Sequence, residues 1–196
     1  MHYSKQELKD LTRALVILSL AFAIAFKGLN NLAALPLAFL VSLLTAGSGF
    51  IFHELAHKYV AQKLGYYSEF RANNSALIMC LIFSFFGFIF AAPGGVMMRR
   101  QPSKRGIGLI SAAGPLVNVI LAILFLGLYF GTTNILQKFA FYGFGINSFL
   151  AFFNMLPFVA FDGAKVFKSN KLLFALIIIP AAALTFAAFI LWGTIK

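Results

Sequence analysis

Six apolar runs, each close to the length a helix needs to cross a bilayer, take up most of this chain: 14–29, 32–52, 76–92, 107–131, 139–161 and 172–192. A hydrocarbon core of about 30 Å takes roughly 20 residues of α-helix, so the pattern predicts an all-α polytopic membrane protein. Composition agrees. The chain is 61% apolar and 11% charged, whereas soluble domains are roughly half apolar and a quarter charged. That excess of apolar surface has no room in a water-soluble core, and it excludes a disordered chain as well. Cys80 is the single cysteine, which excludes an intrachain disulfide scaffold.

Sixteen Lys and Arg against five Asp and Glu give a formal charge of +11, which invites a nucleic-acid reading. The bases, however, stand in short groups between the apolar runs: Lys5/Lys9/Arg13, Lys58/Lys63/Arg71, Arg99/Arg100/Lys104/Arg105 and Lys165/Lys168/Lys171. Connections held on the cytoplasmic side carry such groups, so their role is orientation and no nucleic-acid partner is expected. The connections near Lys27 and Lys138 carry one base each.

Two of the rich groups flank 76–92, so this run makes no simple crossing if both flanks are cytoplasmic. It is too short for two helical crossings, and Gly87 with Pro93-Gly94-Gly95 supplies bends. The reading is a re-entrant segment, with an ordinary spanning helix as the alternative on hydropathy alone. The chain is expected to form one integral membrane domain over 1–196 with five to six transmembrane helices. The first run is the weakest, because Arg13 and Lys27 flank its apolar core and must snorkel. Its alternating alanines (Ala21, Ala23, Ala25) also fit a cleaved signal peptide; an uncleaved first helix is the reading adopted.

His53-Glu54-Leu55-Ala56-His57 closes the second run. Residues four apart share a helix face, so both imidazoles can reach one ion. Glu54 then stands beside the open coordination position, where a carboxylate can take a proton from water as general base. A chance match is the bland alternative. Against it, ionisable residues in an apolar span cost on the order of 2.5–3.5 kcal/mol each, and a bound cation compensates them.

A catalytic zinc takes three protein ligands and keeps one position open. The remaining candidates are His2, Cys80, Glu7, Asp10, Glu69 and Asp162, and of the acids Asp162 alone closes a long apolar run. Pro157 disrupts the preceding helical turn, so an unwound stretch can aim that carboxylate inward. A plain Asp162-Gly163 turn is the alternative. Shared depth gives a check: His53, His57 and Asp162 all lie near the C-terminal ends of their runs, so those two helices must be parallel. One net crossing, 107–131, must separate them, which agrees with a re-entrant 76–92.

The HExxH pair together with the later Asn154-x-x-Pro157-x-x-x-x-Asp162-Gly163 resembles the site-2 protease family of intramembrane zinc metalloproteases. The resemblance covers about 32–165, with a core of three helices. It implies one Zn2+ per chain held by His53, His57 and Asp162, with Glu54 as catalytic acid/base, and it implies cleavage of membrane-embedded segments of other proteins. Ala113-Gly114-Pro115-Leu116-Val117-Asn118 matches the middle helix. Asn118 either donates to the oxyanion of the reaction or ties two helices together. Asn154 orients Asp162 or the substrate. The family's extended hairpin after the HExxH helix is matched by Pro93 to Met98, although the Phe-rich run before it is longer than such a hairpin requires. The twenty-five phenylalanines are read as lipid-facing and packing residues.

The expected partners are therefore membrane-spanning protein substrates and the lipid bilayer, and the expected location is the cell membrane, multi-pass, with the site nearer the cytoplasmic face. A non-enzymatic membrane protein is the rival class. Transporters often show duplicated halves with paired broken helices, which this sequence lacks, and an inactive relative would have lost a site residue.

Overall fold

The computed structural model describes residues 1–27, 29–89, 93–158 and 161–193, and the protein is mostly helical. In chain order the elements are α1 (Lys5–Lys27), a 3-10 turn (Leu29–Ala34), α2 (Leu35–Ser42), a π turn (Leu43–Gly47), α3 (Ser48–Lys63), β1 (Ser68–Ala72), α4 (Asn74–Ser84), β2 (Gly94–Met98), α5 (Lys104–Gly131), α6 (Asn134–Asn154), α7 (Asp162–Ser169) and α8 (Lys171–Trp192). Among the described residues, three stretches are long and apolar enough to cross a membrane: Leu32–Lys63, Lys104–Gly131 and Lys171–Trp192. They mark the chain as a membrane protein.

Several boundaries differ from those expected, each for a local reason. The second run continues as helix to Lys63, because its polar end still packs against the hairpin. A π turn at Leu43–Gly47 adds a residue to one turn and so re-aims the face on which His53 and His57 stand. The fifth run begins as helix at Asn134 and ends at Asn154, with Met155 as its C-cap. Pro157 follows within three residues, where it cannot continue a helix; residues 159–160 of the expected run lie outside the described residues. Arg13 donates to Asp10 at 2.7 Å.

The run 76–92 becomes α4, eleven residues long and so about 16 Å at 1.5 Å per residue, which is shorter than a bilayer core. Asn73 caps it by accepting from the Ala76 N–H at 3.1 Å. Gly87 turns the chain with φ +77°, a conformation natural to glycine. Residues 90–92 lie outside the described residues. Because Ala72 pairs with Gly94, the excursion 73–93 leaves and returns at one point. The two-stranded antiparallel sheet β1–β2 is the one departure from an all-α fold among the described residues.

α5 is the central helix and packs on α3, α6, α7 and α8. Ile110 and Asn118 of α5 meet His57 and His53 of α3 in reverse order, so these helices are antiparallel. Asn118 also meets Asn147 and Phe125 meets Gly143, so α6 is antiparallel to α5 and runs in the same sense as α3. The helix that leads toward Asp162 thus runs in the same sense as α3, as the shared depth of the three residues required.

The α5–α6 seam depends on close approach. A Cβ on Gly143 would overlap the Phe125 ring, whereas one on Gly127 would meet nothing within 4 Å. Overpacking of this kind costs about 1–3 kcal/mol, while alanine in an open helical position gains roughly 0.5–1 kcal/mol. Gly143→Ala is therefore expected to lower the thermal unfolding midpoint in detergent micelles, and Gly127→Ala to hold or raise it. Equal midpoints for the two variants would contradict this seam.

Candidate metal centre

His53 and His57 project from one face of α3, and both are buried. Each ring has its Nδ1 committed. His57 Nδ1–H donates to the Ile110 carbonyl at 2.6 Å, and a carbonyl can only accept. His53 Nδ1–H donates to Asn118 Oδ1 at 2.6 Å. The Asn118 amide orientation is fixed from its other end, since its Nδ2 lies 3.2 Å from the Gly49 carbonyl and 3.0 Å from Asn147 Oδ1. Asn147 is fixed in turn by donating to the Gly143 carbonyl at 2.9 Å.

Both Nε2 atoms are therefore left with lone pairs, and they face each other at 2.9 Å. Asp162 Oδ2 joins them, 3.0 Å from His57 Nε2 and 3.5 Å from His53 Nε2. Three electron-rich atoms converging without a proton between them call for a cation. A tetrahedral zinc with ligands at about 2.0–2.1 Å sets them roughly 3.3 Å apart, which the observed separations bracket. The residues fit the ion, and among the described residues this is the one group of His, Cys, Asp and Glu able to hold a metal. Zinc is its cofactor.

Local sequence explains the approach. A Cβ on Gly114 would lie 2.5 Å from His57 Nε2 and 2.6 Å from His53 Nε2, so only glycine lets α5 pass beside the imidazoles. Gly163 does the same for the loop: a Cβ there would strike the Met155 carbonyl. The chain can thus fold back on the end of α6 and start α7 with Asp162 aimed at the histidines. Lys165, one turn on, donates to the other carboxylate oxygen, Oδ1, at 3.3 Å, leaving Oδ2 for the ion.

A cavity of about 680 Å³ opens on this centre, with Glu54, Asn154 and the whole of β2 in its wall. Glu54 is buried, and its Oε2 has no hydrogen-bond partner, a costly state that water entering the cavity would relieve. Asn154 donates to the Leu150 carbonyl of its own helix at 2.9 Å and borders the cavity, with no hydrogen bond to the histidines or Asp162.

All six residues singled out from the sequence therefore lie at or beside one centre. The Ile110 carbonyl, Asn147 and Lys165 belong to it as well and were not picked out. Asn147 left a signal, as an amide inside an apolar run. The Ile110 carbonyl left none, since any residue supplies one.

An HExxH pair completed by an aspartate, carried on apolar helices, defines a membrane-associated zinc metalloprotease. Comparison with known proteins agrees: over 184 residues the chain is 42% identical to the protein named "Putative zinc metalloprotease MJ0611" of Methanocaldococcus jannaschii, covering 91% of this chain and 92% of that one. The chain belongs to the family of that metalloprotease. No protein-family model and no solved structure matches it.

Disturbing the second row of this site has a measurable consequence. Orienting partners of ligand histidines are worth about 10–100-fold in metal affinity. Gly114→Ala, which drives a methyl into both Nε2 atoms, and Asn118→Ala, which frees His53, are each expected to lower zinc affinity by about that factor. Competition with a chromogenic chelator measures it; wild-type affinity in both would contradict the arrangement.

Proposed function

We propose that this metalloprotease works inside the membrane, in the manner of the site-2 protease family, hydrolysing peptide bonds in or near transmembrane segments of other membrane proteins. One observation carries the reading: the ligand-bearing α3 and its partner α5 are both parts of candidate spans, so the scissile bond has to come to a centre enclosed by the bundle. Regulated release of a fragment from the membrane is the corresponding biological outcome.

Zinc, when bound, polarises the scissile carbonyl and lowers the pKa of water beside it. The chain supplies the rest. Glu54 takes the proton of the attacking water at its unpartnered Oε2 and returns it to the nitrogen of the leaving amine. Asn118 keeps His53 in the tautomer that leaves Nε2 free; its amide hydrogens are engaged by Gly49 and Asn147, so we assign it to the ligand rather than to the oxyanion. Asn154, facing the same cavity, is assigned to the substrate side.

A peptide bond within a helix is shielded by its own turn, so the substrate must unwind locally. Gly, Pro or Asn near the cut favours this, and β2 in the cavity wall offers an edge on which an extended segment pairs. The proposed topology has five to six crossings with α4 as a re-entrant element. It is supported by the meeting of Ala72 with Gly94 and by the short length of α4. The proposed location is the cell membrane with the site toward the cytoplasmic face, a placement supported by the basic groups that include Lys58 and Lys165.

Glu54→Gln tests the chemistry. It is expected to keep one zinc per chain and to lower cleavage of a single-pass model protein in reconstituted vesicles by about 100-fold or more. Cleavage near the wild-type rate, with zinc retained, would refute the role of Glu54.

A further inference from the structure

Two of the five acids, Glu7 and Asp10, stand on the first two turns of α1, outside the metal centre. Glu7 is fully buried, with 0% of its surface exposed. Its Oε2 pairs with Lys58 Nζ at 2.5 Å, and its Oε1 accepts the Phe70 N–H at 2.9 Å. Lys58 directly follows the ligand His57; its ammonium also donates to the His2 carbonyl at 2.5 Å and lies 3.9 Å from the centre of the Tyr3 ring. One carboxylate thus joins α1, the catalytic helix and β1. Asp10 repeats the contact two residues along the strand, where its Oδ2 faces the Ala72 N–H at 3.5 Å.

The alternation is what matters. In an antiparallel pair, successive residues point their main-chain groups to opposite sides. The Asn73 N–H to Pro93 carbonyl and Arg99 N–H to Tyr67 carbonyl bonds place odd-numbered residues of both strands on the shared side. Phe70 and Ala72 therefore turn their N–H groups to α1. By the same alternation Gly94, Val96 and Met98 turn theirs away from β1, and β2 lines the cavity. Acid side chains close one edge of the hairpin, while among the described residues no segment pairs with the other edge, on the strand that lines the cavity of the metal site. A buried ion pair is an inefficient source of stability, because desolvation offsets most of its attraction; what such a pair does well is fix one geometry.

We infer that Glu7 is a positioning residue: its carboxylate, seconded by Asp10, seals the outer edge of β1 and pins the hairpin to the catalytic helix, presenting β2 to substrate at a set place over the metal. The substrate part rests on the proteolytic reading above. Glu7 touches neither the ligands nor the reacting atoms, so its loss acts on substrate capture rather than on the bond-breaking step.

Two double variants of the full chain test this, Glu7→Met/Lys58→Met and Glu7→Gln/Lys58→Met. Both remove the ion pair together, so neither charge is stranded; they differ in whether position 7 still offers an oxygen to Phe70. Zinc content, amide hydrogen exchange across 68–72 and 94–98, and kcat and KM on a single-pass model substrate are measured for each. The methionine pair is expected to keep one zinc per chain, to exchange its hairpin amides about tenfold faster and to raise KM by a similar factor with kcat within about twofold, the scale of one charge-assisted hydrogen bond. The glutamine pair is expected to recover most of both effects. Identical behaviour of the two variants, wild-type exchange in the methionine pair, or loss of zinc from it would overturn the inference. Should the wild-type protein cleave no membrane substrate, the proteolytic reading falls, and the exchange comparison still decides the role of Glu7.

Discussion

Two imidazole nitrogens with their lone pairs aimed at each other, and a carboxylate oxygen beside them, cannot persist in an apolar bundle without positive charge between them. In water such groups would be solvated; here the imidazoles are buried and the carboxylate is largely enclosed, and electrostatic repulsion is strong at low dielectric. A divalent cation turns the arrangement from the most costly part of the protein into one that ties together three separate stretches of chain. Metal binding and folding are coupled for this reason: α3 supplies two ligands, the start of α7 a third, and α5 the acceptors that fix the tautomers.

The hydrogen bonds behind the ligands extend that order outward. From the Gly143 carbonyl through Asn147 and Asn118 to His53, each donor meets a group that accepts, so the main chain of α6, with the Gly49 carbonyl, settles which nitrogen of a histidine on α3 carries the proton. Buried amides of this kind are expensive unless partnered, and here each amide nitrogen and oxygen of Asn118 and Asn147 has a partner. The same helices come close enough to make these bonds because small residues stand where they cross. Polar specificity and close packing are thus one design, and the apolar runs of the sequence are the medium that makes both worthwhile.

How much of this was legible from residues alone follows from the range of the forces involved. The helices were legible because apolar runs and Pro157 act locally. The grouping of His53, His57 and Asp162 was legible because HExxH is a contact within one helix, and because so few other acids were available to complete it. The helix ends were blurred where polar residues pack on the hairpin, as at Lys63. The π turn at Leu43–Gly47 has no signature in residue type. Glu7, Asn147 and the Ile110 carbonyl act across 29 or more positions of sequence, and nothing in their own neighbourhoods names their partners. Glu7 in particular reads as an ordinary acid in a first helical turn, favourable to the helix dipole, until β1 is brought beside it.

The account is tested most directly by X-ray absorption spectroscopy of the purified, zinc-loaded protein at the zinc edge. It predicts one ion per chain surrounded by two imidazole nitrogens and oxygen ligands at about 2.0–2.2 Å, with no sulfur at about 2.3 Å, and loss of that first shell when Asp162 is replaced by Ala. A sulfur ligand from Cys80, or an unchanged shell without Asp162, would contradict it.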